Sequence, residues 1–253
     1  MLPALGAHTL LAFLLATVRA GAWLVVAPPF NGRSIPGPVK ALLAVAFALP
    51  VTSSLSKQVP AFDTPSILGS IVIQVAVGVG LGFVVYLMMA AVQAAGSLID
   101  LFGGFTLASA FDPLSLSQTA VFGRLHQFIT VMLLLVTDGH MLILHGFFRS
   151  YQAIPLDGSL PLASLSDALI VGIGGFFVGA LEIAAPLIGV LFLADVGLGL
   201  LTKVAPALNA FQLGFPLKIL MTLMLAGLTF PLLPSFVANL VQRVTAVIIS
   251  LVG

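Results

Sequence analysis

From residue 67 to residue 99 the chain runs without one charged side chain. As a single helix this run would reach about 50 Å at 1.5 Å per residue, well beyond the ~30 Å hydrocarbon core of a bilayer. The rest of the chain shares its character: 60% of the 253 residues are hydrophobic and 7% are charged, against about 45–50% and 25% in soluble domains. So few charges cannot cover a water-facing surface. Lipid or apolar protein neighbours must cover most of the outside. The expected fold class is all-α, a membrane-associated bundle of long, kinked helices and helical hairpins.

Six apolar blocks are legible, at about 2–30, 39–55, 67–99, 121–148, 168–201 and 204–232, with a shorter tail at 236–253. Blocks 67–99 and 168–201 are too long for one perpendicular span, so each must be tilted, broken or only partly in lipid. The glycines at 78, 80 and 82, and Pro186 with Gly189, are the candidate break points. Loop charges do not sort to one side as a simple weave through a bilayer requires. The first apolar stretch carries Arg19 in its middle and has no basic segment before it. It is expected to belong to the mature protein rather than to a cleaved leader.

Charges within apolar blocks face protein or water. If Gly139 does not break a helix over 121–149, Arg124, Gln127, Asp138, His145 and Arg149 fall within about 60° of one another, with His126 and His140 opposite. That stripe reads either as a polar passage lining or subunit seam, or as a set of internal ion pairs. Glu182 and Asp195 lie about 140° out of phase and form no carboxylate pair.

Catalytic signatures are absent. His140 and His145 are five apart, which misses the spacing for two zinc ligands on one helical face, and no glutamate lies between them. There is no cysteine, P-loop or Gly-x-Ser-x-Gly turn. Gly78-Val79-Gly80 lacks the third glycine of a dinucleotide site and reads as helix packing by small residues. No cofactor, metal or catalytic residue is expected, and a net charge of +1 leaves no nucleic-acid footprint.

Several short motifs together resemble the FliR family, the R component of the flagellar type III protein export gate. They are Arg19 with Ala27-Pro28, Ile35-Pro36 with Val39-Lys40, Ala95-Gly96 leading to Gly104 and Asp112-Pro113, and Gly123-Arg124 with Gln127. Further on come Asp138-Gly139-His140, Ser150 with Ile154-Pro155, Gly199 to Leu201 with Ala205-Pro206, Leu208-Asn209 with Phe211, and Gly214-Phe215-Pro216-Leu217-Lys218. The family usually has a glutamate where this chain has Ser97 and an asparagine where it has Asp138. Asp100, three residues beyond Ser97 and so on the same helical face, is expected to stand in for that glutamate.

The resemblance implies a FliP-like part over about 1–165 and a FliQ-like hairpin region over about 166–253. It implies a pore-forming subunit of the bacterial inner membrane, in the flagellar basal body. Its partners would be FliP-type and FliQ-type subunits, a FlhB-type subunit and unfolded exported proteins in transit, with lipid over part of the surface. The connector at about 103–119, with Gly103, Gly104, Phe105, Phe111, Asp112 and Pro113, aligns with a segment that plugs the pore in relatives. Its small and apolar residues suit closure by dewetting; an ordinary buried inter-helix loop is the alternative. The homologous gate of a virulence injectisome is a second functional reading. A secondary transporter relaying ions through Asp138, Glu182 and Asp195 is a third.

Overall fold

The computed structural model of the chain describes residues 2–32, 35–106, 120–157, 162–205 and 210–250. Among the described residues there are eight α-helices, one 3₁₀ turn and no strand. The helices are α1 (Leu2–Val26), α2 (Gly37–Leu55), α3 (Thr64–Phe102), α4 (Val121–Val136), α5 (Gly139–Ala153), α6 (Leu162–Val204), α7 (Ala210–Thr229) and α8 (Leu233–Ser250), with the 3₁₀ turn Phe230–Leu232 between the last two. The all-helical class is as the composition required. Five helical stretches are long and apolar enough to cross a membrane, and α4 with α5 would add a sixth as one bent span.

Local chemistry sets several ends. Pro36 precedes α2 in an extended conformation, and Pro38 sits in its first turn, where no N–H is needed. Asp63 caps α3: its carboxylate accepts the Ser66 N–H at 3.1 Å. That bond holds the exposed Asp63 carboxyl below the usual carboxylate range.

The helices break at only one of the candidate points. Helix α3 runs unbroken for 39 residues through the glycines at 78, 80 and 82. Two of these glycines serve close packing. A Cβ on Gly78 would lie 2.8 Å from the Ala22 Cβ, and one on Gly82 would lie 3.1 Å from the Trp23 carbonyl oxygen, both on α1. Helix α6 likewise runs unbroken for 43 residues through Pro186. A proline removes one backbone bond, here the one to the Glu182 carbonyl, and the bonds on either side carry the helix onward. The block at 121–148, by contrast, is two helices. Asp138 takes φ 54, in the left-handed region. No right-handed helix accommodates that value, and Asp is among the few non-glycine residues that tolerate it.

The chain forms two compact units that interleave in sequence: Met1–Met88 with Asp138–Gly174 and Val241–Gly253, and Met89–Thr137 with Gly175–Leu240. The first has its core around Trp23, which stacks on Phe147 at 4.6 Å between centroids, with Leu15, Leu24, Leu81 and Ile143. The second is built around Ile99, Phe122, Leu134, Leu187, Leu191 and Val237.

Candidate functional site

In the second unit the end of α3 and the start of α4 are clamped together. The buried Asp100 carboxylate accepts the Phe122 N–H at 3.1 Å and the Gly123 N–H at 3.0 Å, one on each oxygen. Residue Ala120, at the N-cap of α4, makes no side-chain cap. Asp100 therefore supplies from another helix what an N-cap residue supplies locally. Its negative charge also meets the positive end of the α4 dipole.

Glycines make that approach possible. A Cβ on Gly96 would overlap the Phe122 carbonyl, and a Cβ on Gly123 would sit 2.7 Å from the Ser97 hydroxyl. The Ser97 hydroxyl turns back to the Gln93 carbonyl at 3.2 Å. The acidic contact on this face comes from Asp100. His126 lies one turn along α4, fully buried. Its Nδ1–H donates to the Phe122 carbonyl at 2.8 Å, and its ring packs beside Phe230 at 6.1 Å.

The connector leaves α3 through Gly103 and Gly104. A Cβ on Gly103 would meet the Thr222 hydroxyl at 2.6 Å, and Gly104 has φ 85 with the Phe215 ring beside it. Only glycine reaches that φ without strain. Phe105 packs edge-on against Phe122 at 5.3 Å. Phe111, Asp112 and Pro113 lie outside the described residues.

The polar stripe is not one feature. Arg124 and Gln127 are exposed on α4 in the second unit. Asp138, His145 and Arg149 belong to the first unit and are exposed there, Asp138 at the break and the other two on α5. The left-handed Asp138 resets the helical phase, so the five residues share no single face. Of the motif residues, Gly139 is buried and His140 half-buried in the first turn of α5. Pro206 lies outside the described residues, and Pro216 is exposed within α7. Lys218 pairs with Asp195 on α6 at 2.8 Å. Asp195, one of the three charges of the relay reading, is thus held in an ion pair within the second unit. Among the described residues no group of three His, Asp or Glu side chains could hold a metal ion.

A second polar centre lies in the first unit. Arg19 is completely buried. Its guanidinium donates to Gln74 Oε1 at 2.6 Å, to the Ser150 carbonyl at 3.0 Å and to the Ile154 carbonyl at 2.7 Å. It also lies 4.5 Å from the centroid of the Tyr151 ring. The Tyr151 hydroxyl returns to the Ala16 carbonyl at 2.7 Å, and the Gln74 amide donates to the Pro155 carbonyl at 3.3 Å. One cation thus ties α1, α3 and the C-terminal end of α5. The sequence signalled Arg19 as a charge within an apolar stretch, but gave no sign of Gln74 or Tyr151 as partners.

The profile of the family described as bacterial export proteins, family 1, matches residues 10–244. The chain is 32% identical over 212 residues to the flagellar biosynthetic protein FliR of Bacillus subtilis (strain 168), covering 82% of each. It is 32% identical over 228 residues to FliR of Pectobacterium carotovorum subsp. carotovorum, covering 90% of this chain and 87% of that one. It is 28% identical over 216 residues to the Yop proteins translocation protein T of Yersinia pestis, covering 83% and 82%.

Proposed function

This chain belongs to the bacterial export proteins, family 1, and on that footing we infer that it is a component of the flagellar type III protein export gate. The observation that carries the inference is its likeness to FliR proteins along most of its length. The relative named translocation protein T, at lower identity, favours an injectisome gate as a second reading. The test is complementation: a motile bacterium deleted for its own R component regains swimming and flagellin secretion when this chain is supplied. Failure in the flagellar strain with rescue of an injectisome deletion would reverse the order of the two readings.

The chain sits in the inner membrane at the flagellar base, and neighbouring FliP-type, FliQ-type and FlhB-type subunits cover its apolar surface. Two features support this. Helices of 39 and 43 residues outrun a bilayer at ~1.5 Å per residue. Ile170, Phe177, Leu181, Phe192, Leu193 and Leu200 stand exposed along α6. The FliP-like part covers about 1–165 and the FliQ-like hairpin about 166–253, where α6 and α7 are tied by Lys218 and Asp195.

Residues 103–119 form the pore plug, and the chain performs no chemistry of its own. The plug reading is supported by its anchorage. Asp100 holds the flank beyond the connector to the flank before it. Phe105 and Phe111 supply apolar bulk for a dry constriction. Arg124 and Gln127, exposed just beyond the connector, form a seam to a neighbouring subunit. Replacing 103–119 with a shorter Gly/Ser linker raises ion leak in cells expressing the whole gate; unchanged conductance would remove the plug assignment.

A further inference from the structure

Glu182 is the single charged residue between Asp167 and Asp195. It sits near the middle of α6 with its side chain exposed, and among the described residues no lysine, arginine or histidine pairs with it. We propose that Glu182 is the docking point for an apolar helix of a neighbouring gate subunit, and that this helix brings a lysine or arginine to meet it.

The surroundings require a cover. Val178, Leu181 and Leu193 stand exposed around the carboxylate, and a face this apolar is shielded from water by something. Both ends of α6 lie about 30 Å from Glu182 at ~1.5 Å per residue. A glutamate side chain cannot reach that far, so the carboxylate stays under whatever covers its neighbours. Acyl chains would suit the leucines but offer nothing to a carboxylate, and a charge covered without a partner is costly. A protein helix with one cation satisfies both.

Charge complementarity fixes the sign of the partner, and α6 already shows the same solution once. Its other carboxylate in this unit, Asp195, is met by Lys218 of the neighbouring helix α7 at 2.8 Å. Glu182 lies about 140° out of phase with Asp195, so it points away from the side on which α7 meets α6. Its counterpart must come from outside that hairpin. Pro186 has no N–H to give to the Glu182 carbonyl. Two acceptors, a carboxylate and a carbonyl, therefore belong to this one residue, and lysine or arginine has donors for both. Local shape permits the approach. Gly175 and Gly189 lie seven residues before and after Glu182, on the same face, and nothing stands within 4 Å of where their Cβ atoms would be. The carboxylate thus lies in a shallow notch that a second helix backbone can enter.

The inference rests on the reading that sibling subunits cover the apolar surface, and not on the plug. Its test uses the full chain in cells expressing the whole gate. A photo-cross-linking amino acid at Ala185, which is exposed three residues beyond Glu182, captures what covers this face, and mass spectrometry reads the captured peptide. The expected adduct is an apolar segment containing a lysine or arginine. E182Q keeps the shape, loses the charge and lowers the yield about tenfold. Changing the captured cation to glutamate removes the adduct in wild type and restores it in E182K. D167N, at an exposed carboxylate near the start of α6, leaves the yield unchanged. Full yield with E182Q overturns the proposal, since a neutral hydrogen bond would then suffice. Absence of an adduct overturns it too, as do adducts only with lipid, with a second copy of this chain or with a peptide lacking a cation. A cation-bearing peptide from a protein outside the gate would uphold the pairing and count against the gate reading.

Discussion

Arg19 Nη2 donates to the carbonyl of Ile154 at 2.7 Å across 135 positions of sequence. With Gln74 and the Ser150 carbonyl it accounts for most of the guanidinium's hydrogen-bonding capacity in a site closed to solvent. No carboxylate takes part in these bonds. The charge is balanced by carbonyl dipoles at the end of α5 and by the Tyr151 ring.

Arg19→Lys keeps the charge but cannot present a planar fork to three acceptors on two elements. Stranding buried acceptors costs about 1–3 kcal/mol for each. The expected outcome is a loss of about 3 kcal/mol or more, read as a lower melting temperature in detergent and a lower steady-state level in membranes. A lysine variant that melts with wild type would show that the network is dispensable.

Asp100→Ala removes the cap of α4. A lost N-cap costs about 0.5–2 kcal/mol, and faster hydrogen exchange should appear first at the Phe122 and Gly123 amides. Asp100→Asn, which keeps one acceptor oxygen, should fall between. Unchanged exchange at those two amides in the alanine variant would remove Asp100 from the clamp.

Gly96→Ala places a methyl against the Phe122 carbonyl. Backbone cannot yield as a flexible side chain does, so overpacking of about 1–3 kcal/mol is expected. Gly174→Ala is the comparison. Nothing lies within 4 Å of its Cβ position, and a mid-helix alanine gains about 0.5–1 kcal/mol. Paired melting curves should move in opposite directions; parallel shifts would mean that the crossing near Gly96 is looser than described.

Asp195 and Lys218 tie α6 to α7 with nitrogen–oxygen distances of 2.8 and 2.9 Å. Asp195 is 45% exposed, so in water the pair would contribute only about 0.2–1 kcal/mol. Either single substitution, Asp195→Asn or Lys218→Met, should lower export and chain level. The exchanged pair D195K/K218D should recover both. Equal defects in the single and exchanged variants would show that position matters there rather than pairing.

Much of the fold was legible because hydrophobicity is additive along the chain. The apolar blocks that became α1, α2, α3 and α6 could be placed from composition and proline position. For the long runs at 67–99 and 168–201 the sequence left open whether they break. Glycine and proline weaken a helix locally, but Gly78 and Gly82 are held against α1, and that packing exceeds the propensity cost. The break beside Gly139 was open in the sequence, but not that Asp138 would make it. One residue at φ 54 leaves no hydrophobic trace, and it dispersed a stripe that looked coherent by arithmetic.

The candidate site divides in the same way. Asp100 was visible as a carboxylate on the face of Ser97, yet its partners are backbone N–H groups 22 and 23 residues away. Arg19 was visible as an anomaly, while Gln74 and Tyr151 were ordinary residues in ordinary blocks. The residues at His145 and Arg149 suggested a seam, but they line a hollow that needs Pro50 and Val51 from α2.

The amino-acid sequence alone determined that the chain is helical, that water cannot cover it, and that its motifs follow those of export-gate proteins. Those properties depend on composition and local order, which sum residue by residue. Tertiary structure decided where the helices break, which glycines are crossings, and which buried charges are satisfied. Each of these depends on backbone groups brought together from distant positions, and a carbonyl or N–H carries no mark in the sequence of what will come to meet it.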